Sequence, residues 1–424
     1  MRSPLTVSSS TWNRREFLGT VAFGTAPLLL SNWGHAASLE AAIQNPYDGI
    51  DWQNVRPIGS GSHIHCRSQR VLEIMYRRGL RHLAISNYYP SVPSTPQERV
   101  NQYAVEQPFA TLKEGGYTEK PFRWNEILTD PKTGWVEELP EELRQQIPFE
   151  VGPEIFLELP DDVMICPNAE HHSTTDSRGH FNGLGSTFAS GTFDVRNRFR
   201  LHEHGYLLGL GLPWKEAFQR ILGQLRYPDG GGITINHPVW SGQKLEDLTA
   251  MLDFDPRVLG LEIWNHTCEQ LNGKGWALEA WDDVLATGRR CWGFSVSDHV
   301  QGSDPGFLGY NVLLPDPQAF AADPQQACLK AYRDGQFYCV LTGDLQLKSL
   351  QVADGLLTAE VNLPCQLKLI SAKGLIATTD GQQLSWPLPA STVDLHAHRY
   401  LRVEARQIDG KDRLFTQPLS CKLA

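Results

Sequence analysis

The sequence predicts an α/β protein, a distorted (β/α)7-type barrel followed by a small C-terminal antiparallel β-sandwich. Three observations carry that prediction. Short apolar strands alternate with helical stretches between residues 58 and 345. Metal-ligand residue types recur just past the ends of those strands, where α/β barrels keep their functional groups. Beyond residue 345 the pattern changes to short alternating runs separated by Gly, Asp and Pro turns.

Taken in order, residues 58–66 read as a strand ending in His63-Ile64-His65. Residues 68–78 have the apolar spacing of a helix, closed by Gly79, and residues 81–87 read as the next strand. Strand, helix and strand in such close succession form a βαβ unit and imply parallel pairing. Residues 163–166, 233–236, 259–264 and 291–296 are further short strands, with helices at 214–225 and 277–286. The rhythm breaks between about residues 90 and 160, a Pro-, Glu- and Gln-rich stretch read as an insertion that caps the site. Residues 346–424 form the sandwich, on runs such as Ser349–Asp354 and Tyr400–Ile408.

The N-terminus reads as an address. Arg14-Arg15-Glu16-Phe17-Leu18 precedes a modest apolar run and then Gly34-His35-Ala36, the pattern of a twin-arginine export signal over residues 1–36. The apolar run is shorter than the ~20 residues a membrane-spanning helix needs. The expected mature protein is therefore exported by the twin-arginine machinery to the periplasm or beyond, with no stable membrane span. The whole chain has 38 basic and 48 acidic residues in 424, a net charge of −10. Residues 1–36 carry three basic residues and one acid, so the remainder has 35 against 47, or −12. That balance argues against nucleic-acid binding, which needs a basic surface to displace counterions, and leaves a small molecule as the expected partner. Eight scattered cysteines without a C-x-x-C pair make neither a disulfide framework nor a thiolate zinc knuckle, although one or two disulfides would suit an exported chain. Most read as small buried hydrophobes.

Fourteen histidines are the informative feature. His-x-His places two imidazoles on one face of a strand, where they can chelate one metal. The sequence has three such pairs, His63/His65, His202/His204 and His396/His398. The last has only 26 residues after it, too few to complete a barrel site, and reads as surface histidines on a strand. His202/His204 lies in a charged stretch and reads as solvated polar residues. His63/His65 differs because ligand-type residues recur downstream: Glu170 with His171 and His172, His180, His237 before Pro238, and Asp298-His299.

That ordered set, His-x-His, Glu, His, His-Pro and Ser-Asp, resembles the PHP (polymerase and histidinol phosphatase) superfamily of metallohydrolases over residues 58–345. Arg402-Val403-Glu404 and Thr416-Gln417-Pro418 are similar to the β-domain of its exported CehA/McbA-type branch, whose members cleave aryl carbamates and amides. The resemblance implies a PHP barrel in which His63, His65, Glu170 and Asp298 bind one divalent metal. Glu170 would bridge to a second, held by His180 and His237. Zinc, manganese and iron all suit such ligands. A metal pair ~3.5–4 Å apart makes a hydroxide nucleophile from water, for attack on a phosphoester or on an amide, carbamate or ester. Glu262 and Asn265 fall where the family has a strand facing the site, and orient ligands.

The departures from the family are specific. Ser86-Asn87-Tyr88 stands where relatives carry Thr-Asp-His, the histidine several residues beyond His-x-His is missing, and His299 follows Asp298 directly. A third metal position is thus expected to be vacant, or filled by Tyr88 and His299 as polar groups. Phosphomonoester cleavage would lose an electrostatic contribution that Arg67 or Arg70 replaces only in part. His172, His299 and Tyr88 are the candidate catalytic proton donors, with His171 and His172 also able to orient ligands. The same departures, together with tryptophans such as Trp214, Trp240, Trp264 and Trp276, favour an alternative: an inactive PHP-derived ligand-binding or scaffold protein.

Overall fold

The computed structural model describes residues 39–66, 69–86, 99–100, 155–156, 159–171, 174, 176–186, 188, 213–299, 309–408 and 410–422. Residues 1–36, most of the predicted insertion, Arg67, Tyr88, His172, and the His202/His204 pair lie outside them.

Two sheets organise the described chain. The larger runs in the order β1 (Ile43–Gln44), β19 (Leu419–Cys421), β17 (Tyr400–Gln407), β18 (Arg413–Thr416), β13 (Phe337–Leu341), β12 (Gly309–Leu313), β2 (Ile58–Ile64), β3 (Leu80–Ile85) and β6 (Met164–Cys166). A long hairpin of β15 (Leu356–Ser371) and β16 (Gly374–Pro387), flanked by β14 (Leu347–Ala353), joins it through β17. The smaller sheet runs β11 (Trp292–Val296), β10 (Val258–Asn265), β9 (Gly232–Asn236), β8 (His180–Leu184) and β7 (Glu170–His171). Within the predicted insertion, β4 (Arg99–Val100) pairs with β5 (Ile155–Phe156).

The protein is mixed α/β, as predicted, but the described strands do not close into a barrel. The reason is strand direction. The pairs β2–β3, β3–β6, β9–β10 and β10–β11 are parallel, as βα alternation requires. The β7–β8–β9 run is antiparallel, and β12 enters beside β2 antiparallel, so parallel succession fails at two places. The two sheets meet instead at narrow seams. At one, the Asp298 amide donates to His63 O and the His65 amide to Asp298 O, both at 3.0 Å. At the other, the Glu170 amide donates to Ser86 O at 3.3 Å. Four of the predicted ligand positions, His63, His65, Glu170 and Asp298, therefore lie on the seams themselves.

The C-terminal strands are antiparallel, as their alternation predicted, yet they continue the larger sheet across residue 345 rather than stand apart from it. Cys339 pairs with Phe415 and Tyr338 with Thr416. Gln417 adds a clamp: its amide nitrogen donates to Gly293 O at 2.9 Å and its carbonyl oxygen accepts from the Gly293 amide at 2.8 Å. Buried Arg402 reaches Asp282 at 2.7 Å and also pairs with Glu404. The Gln417 clamp fixes the back of β11, the strand just before Asp298, and Arg402 ties the C-terminal strands to the helix Leu278–Ala286.

Local chemistry accounts for the elements. The helix Gln69–Arg77 buries Val71, Leu72 and Met75 on one stripe against the larger sheet. A Cβ on Gly260 would run into the Trp292 carbonyl, so the absence of a side chain there lets β10 lie close against β11. All eight cysteines are buried, and no disulfide forms among the described residues.

Candidate metal centre

The end of strand β2 and the residue that follows it supply the first two groups. His63 and His65 share one face, and their Nε2 atoms lie 3.2 Å apart. Glu170, on β7, brings Oε2 to 3.0 Å from His65 Nε2 and 3.4 Å from His63 Nε2. Asp298 brings Oδ1 to 3.3 and 3.4 Å from the same nitrogens. Donors about 2.0–2.1 Å from a tetrahedral cation are separated by about 3.3–3.4 Å, and the spacings seen here are of that size. Asp298 Oδ1 is buried and accepts no hydrogen bond from the described residues. A buried carboxylate oxygen with no donor, facing two imidazole nitrogens, is the arrangement a cation completes.

Glu170 uses its other oxygen on the opposite side. Oε1 lies 3.3 Å from His237 Nε2 and 3.5 Å from His180 Nδ1. The structure thus gathers all six predicted ligands into two donor groups, His63–His65–Glu170–Asp298 and Glu170–His180–His237, each able to hold a metal ion. Glu170 belongs to both and is all but fully buried.

Neighbouring groups hold the ligands in place. Glu262 Oε1 accepts from His63 Nδ1 at 2.7 Å, which turns the Nε2 lone pair of a neutral His63 toward the centre. Its Oε2 accepts from the His237 backbone amide at 2.8 Å. Asn265 donates from Nδ2 to Glu262 Oε2 and to Asp298 Oδ2, at 2.9 and 3.0 Å. Residues three apart on a regular strand face opposite ways; here the register slips at Ile263, between Glu262 and Trp264, and both side chains reach the same site. Asn236 donates to Glu170 Oε1 at 3.1 Å. His237 shares its Nδ1 with the Ser241 hydroxyl at 3.1 Å, leaving Nε2 for Glu170.

His237 (φ 27°) and Asp298 (φ 57°) both adopt left-handed backbone conformations that non-glycine residues rarely occupy. Strain of that kind persists where surrounding structure enforces it, commonly at functional sites. The seam hydrogen bonds enforce it at Asp298; at His237 the enforcing contacts are the Glu262 carboxylate and the Pro238–Ser241 turn.

Three buried carboxylates, those of Glu170, Glu262 and Asp298, dominate the electrostatics. Burial works against a charge on His63, but Asp298, Glu170 and Glu262 outweigh it and hold the pKa well above the usual imidazole range. Burial likewise opposes charge on His237, and a hydrogen bond to Glu170 with the nearby carboxylates raises its pKa. Asp298 is held well below the usual carboxylate range because His63 and His299 overcome its burial. The carboxylates thus favour protonated imidazoles, so metal binding would displace protons.

The remaining predicted site residues separate clearly. His299 stacks flat on His65, with ring centroids 3.9 Å apart, and its Nε2 lies 3.6 Å from Asp298 Oδ1. Thr267 Oγ1 accepts from its backbone amide at 2.9 Å. His171 is buried beside Phe188, its ring stacked at 5.7 Å. Tyr88 and His172 are outside the described residues, and Arg70 lies exposed on its helix. Trp240 packs edge-on against His237 and tilted against His180, at 5.0 and 5.6 Å between centroids, and is 36% exposed. With His299 partly exposed as well, these residues mark the solvent side of the centre.

One neighbour escaped the sequence reading. Cys268, taken there as a small buried hydrophobe, forms a third group of potential ligands with His237 and Asp298. Burial, followed by the charges of Asp298, Glu262 and Glu170, pushes the thiol pKa far up. Its available signal was the preceding Asn265, whose Oδ1 accepts the Cys268 amide at 2.9 Å and caps the helix His266–Asn272.

His396 and His398 join no such group. His396 ends the short helix Thr392–His396 and shares Nδ1 with Cys421 O at 3.0 Å. His398 is buried and shares Nδ1 with Ser371 Oγ at 3.0 Å. The expected surface strand is thus a helix end and a turn. Comparison with protein families, with curated proteins and with solved structures finds no match to this chain.

Proposed function

We propose that the protein is an exported metal-dependent hydrolase of PHP type that cleaves a phosphoester or an amide, carbamate or ester bond. The observation that carries this reading is the use of both Glu170 oxygens by two donor groups that share no other residue. A divalent pair, when bound, acidifies water and polarises a carbonyl or phosphoryl oxygen. His63, His65, Glu170 and Asp298 would hold one ion; Glu170, His180 and His237 the other. Histidine and carboxylate donors suit zinc, manganese or iron.

The chain's own residues do the rest. Glu262 and Asn265 keep imidazole and carboxylate donors aimed at one point. The burial of His63, His65 and Glu170 keeps water away from the inner donors, which strengthens every electrostatic interaction there. His299, fixed by stacking on His65, is the described candidate to give a proton to a leaving group. His172 and Tyr88 are further candidates from sequence. The twin-arginine signal, which passes folded proteins, agrees with a chain whose cysteines are all buried and form no disulfide among the described residues. No helix among the described residues is long and apolar enough to cross a membrane.

The test is turnover of chromogenic phosphoesters, aryl amides, carbamates and esters by protein reconstituted with Zn²⁺, Mn²⁺ or Fe²⁺. Metal-dependent cleavage of one class, abolished in Glu170→Gln, is the expected result. Metal binding without turnover of any class would favour the ligand-binding alternative.

A further inference from the structure

Cys268 sits in the wall of the centre without a part in either donor group. It is 3% exposed, and its sulfur lies within ligand range of a nitrogen of His237 and a carboxylate oxygen of Asp298. Its place is fixed by the metal ligands' own support. Asn265 holds the Cys268 amide through Oδ1 while the same side chain's Nδ2 holds Glu262 and Asp298. Cys268 and Asp298 therefore cannot shift independently.

His237 is common to the Glu170–His180–His237 and His237–Cys268–Asp298 groups. Its Nδ1 is engaged by Ser241, so one imidazole nitrogen is left to serve either group. A neutral imidazole ligates one cation through that atom. The two groups are thus alternatives for one ion. They differ in donor softness: two imidazoles and a carboxylate in one, an imidazole, a carboxylate and a thiol in the other. Soft thiolate donors select thiophilic ions, whereas carboxylate-rich sites suit manganese.

We propose that Cys268 gives the second metal an alternative, sulfur-ligated position with His237 and Asp298, taken by thiophilic ions such as zinc or cadmium. Manganese remains on Glu170 and His180. This inference rests on the proposed two-metal centre and adds to it a determinant of metal identity. On ligation the thiol proton leaves to solvent and the sulfur binds as thiolate, with no redox change.

X-ray absorption of the zinc-loaded wild-type protein tests it without any substitution. A sulfur scatterer at about 2.3 Å beside the nitrogen and oxygen shell near 2.0–2.1 Å is expected. The manganese-loaded protein should show nitrogen and oxygen only. Cys268→Ser should lose the sulfur shell and lower the preference for cadmium over manganese by about tenfold or more, with the number of ions bound per chain unchanged. Two zinc ions per chain and no sulfur shell would overturn this inference and leave the metal centre standing. A chain that binds no divalent metal would overturn both.

Discussion

Two of the chain's three His-x-His pairs lie among the described residues, and their contrast shows what makes a histidine pair a metal site. His63 and His65 end a strand on a seam between two sheets, where Glu170 and Asp298 arrive from other strands within 3.0–3.4 Å. His396 and His398 belong to a helix end and a turn, and their partners are a backbone carbonyl, a serine hydroxyl, Arg399 and Lys373. Cationic neighbours repel a metal, and burial together with Lys373 lowers the His398 pKa. Carboxylates raise the pKa of His63 despite full burial. Spacing is equal in the two pairs; the sign of the surrounding charge is not.

The largest effect should come from the residue that joins the two donor groups. Glu170→Gln is expected to reduce kcat/KM by about 10³-fold or more, a loss of several kcal/mol of transition-state stabilisation. The double variant His396→Ala/His398→Ala should turn over substrate at the wild-type rate. Equal losses in the two proteins would erase the distinction drawn between the pairs.

His82 sharpens the contrast from another side, as a buried histidine without carboxylates. It lies on β3 behind the site, its Nδ1 2.8 Å from Ser60 Oγ, and burial lowers its pKa to about 4. The folded state therefore takes up its proton less readily than the unfolded one. Its contribution is fully present above pH 6.5 and is lost as pH falls from there toward 4, by about 3 kcal/mol in all. His63 and His237, with raised values, act in the opposite sense in the metal-free protein: their contribution is present below pH 6.5 and is lost as pH rises through their folded-state values. Denaturation of metal-free wild type and His82→Gln between pH 7.5 and 4 should show a steeper acid-dependent loss in the wild type, by about 3 kcal/mol. Parallel curves would mean that burial does not govern this histidine.

A smaller effect is expected when a supporting group rather than a ligand is changed. Glu262→Gln keeps the shape but weakens the bond to His63 Nδ1, and metal affinity should fall about 10–100-fold. Competition against a chelator measures it. An unchanged affinity would show that His63 is oriented by packing alone.

The strands and the ligand order were legible because both are local properties. The strand read at 291–296 is Trp292–Val296, and that at 163–166 is Met164–Cys166. Strand ends expose i and i+2 residues together, so His63 and His65 could be read as a pair. What stayed hidden depends on pairing between distant segments. The bond of β13 to β18, which carries the larger sheet past residue 345, has no signature in either strand. The register slip at Ile263 decides that Glu262 and Asn265 face one way, and alternation alone predicts the reverse. Cys268 looked like any buried thiol until the Asn265 cap placed it beside Asp298.

The central claim is that one carboxylate binds two metals in this chain. Elemental analysis of the protein, purified without chelator and equilibrated with manganese, tests it most directly. Two ions per chain are expected in the wild type and in His396→Ala/His398→Ala, and fewer than one in Glu170→Gln. Fewer than one ion in the wild type, or a count unaffected by Glu170→Gln, would contradict it.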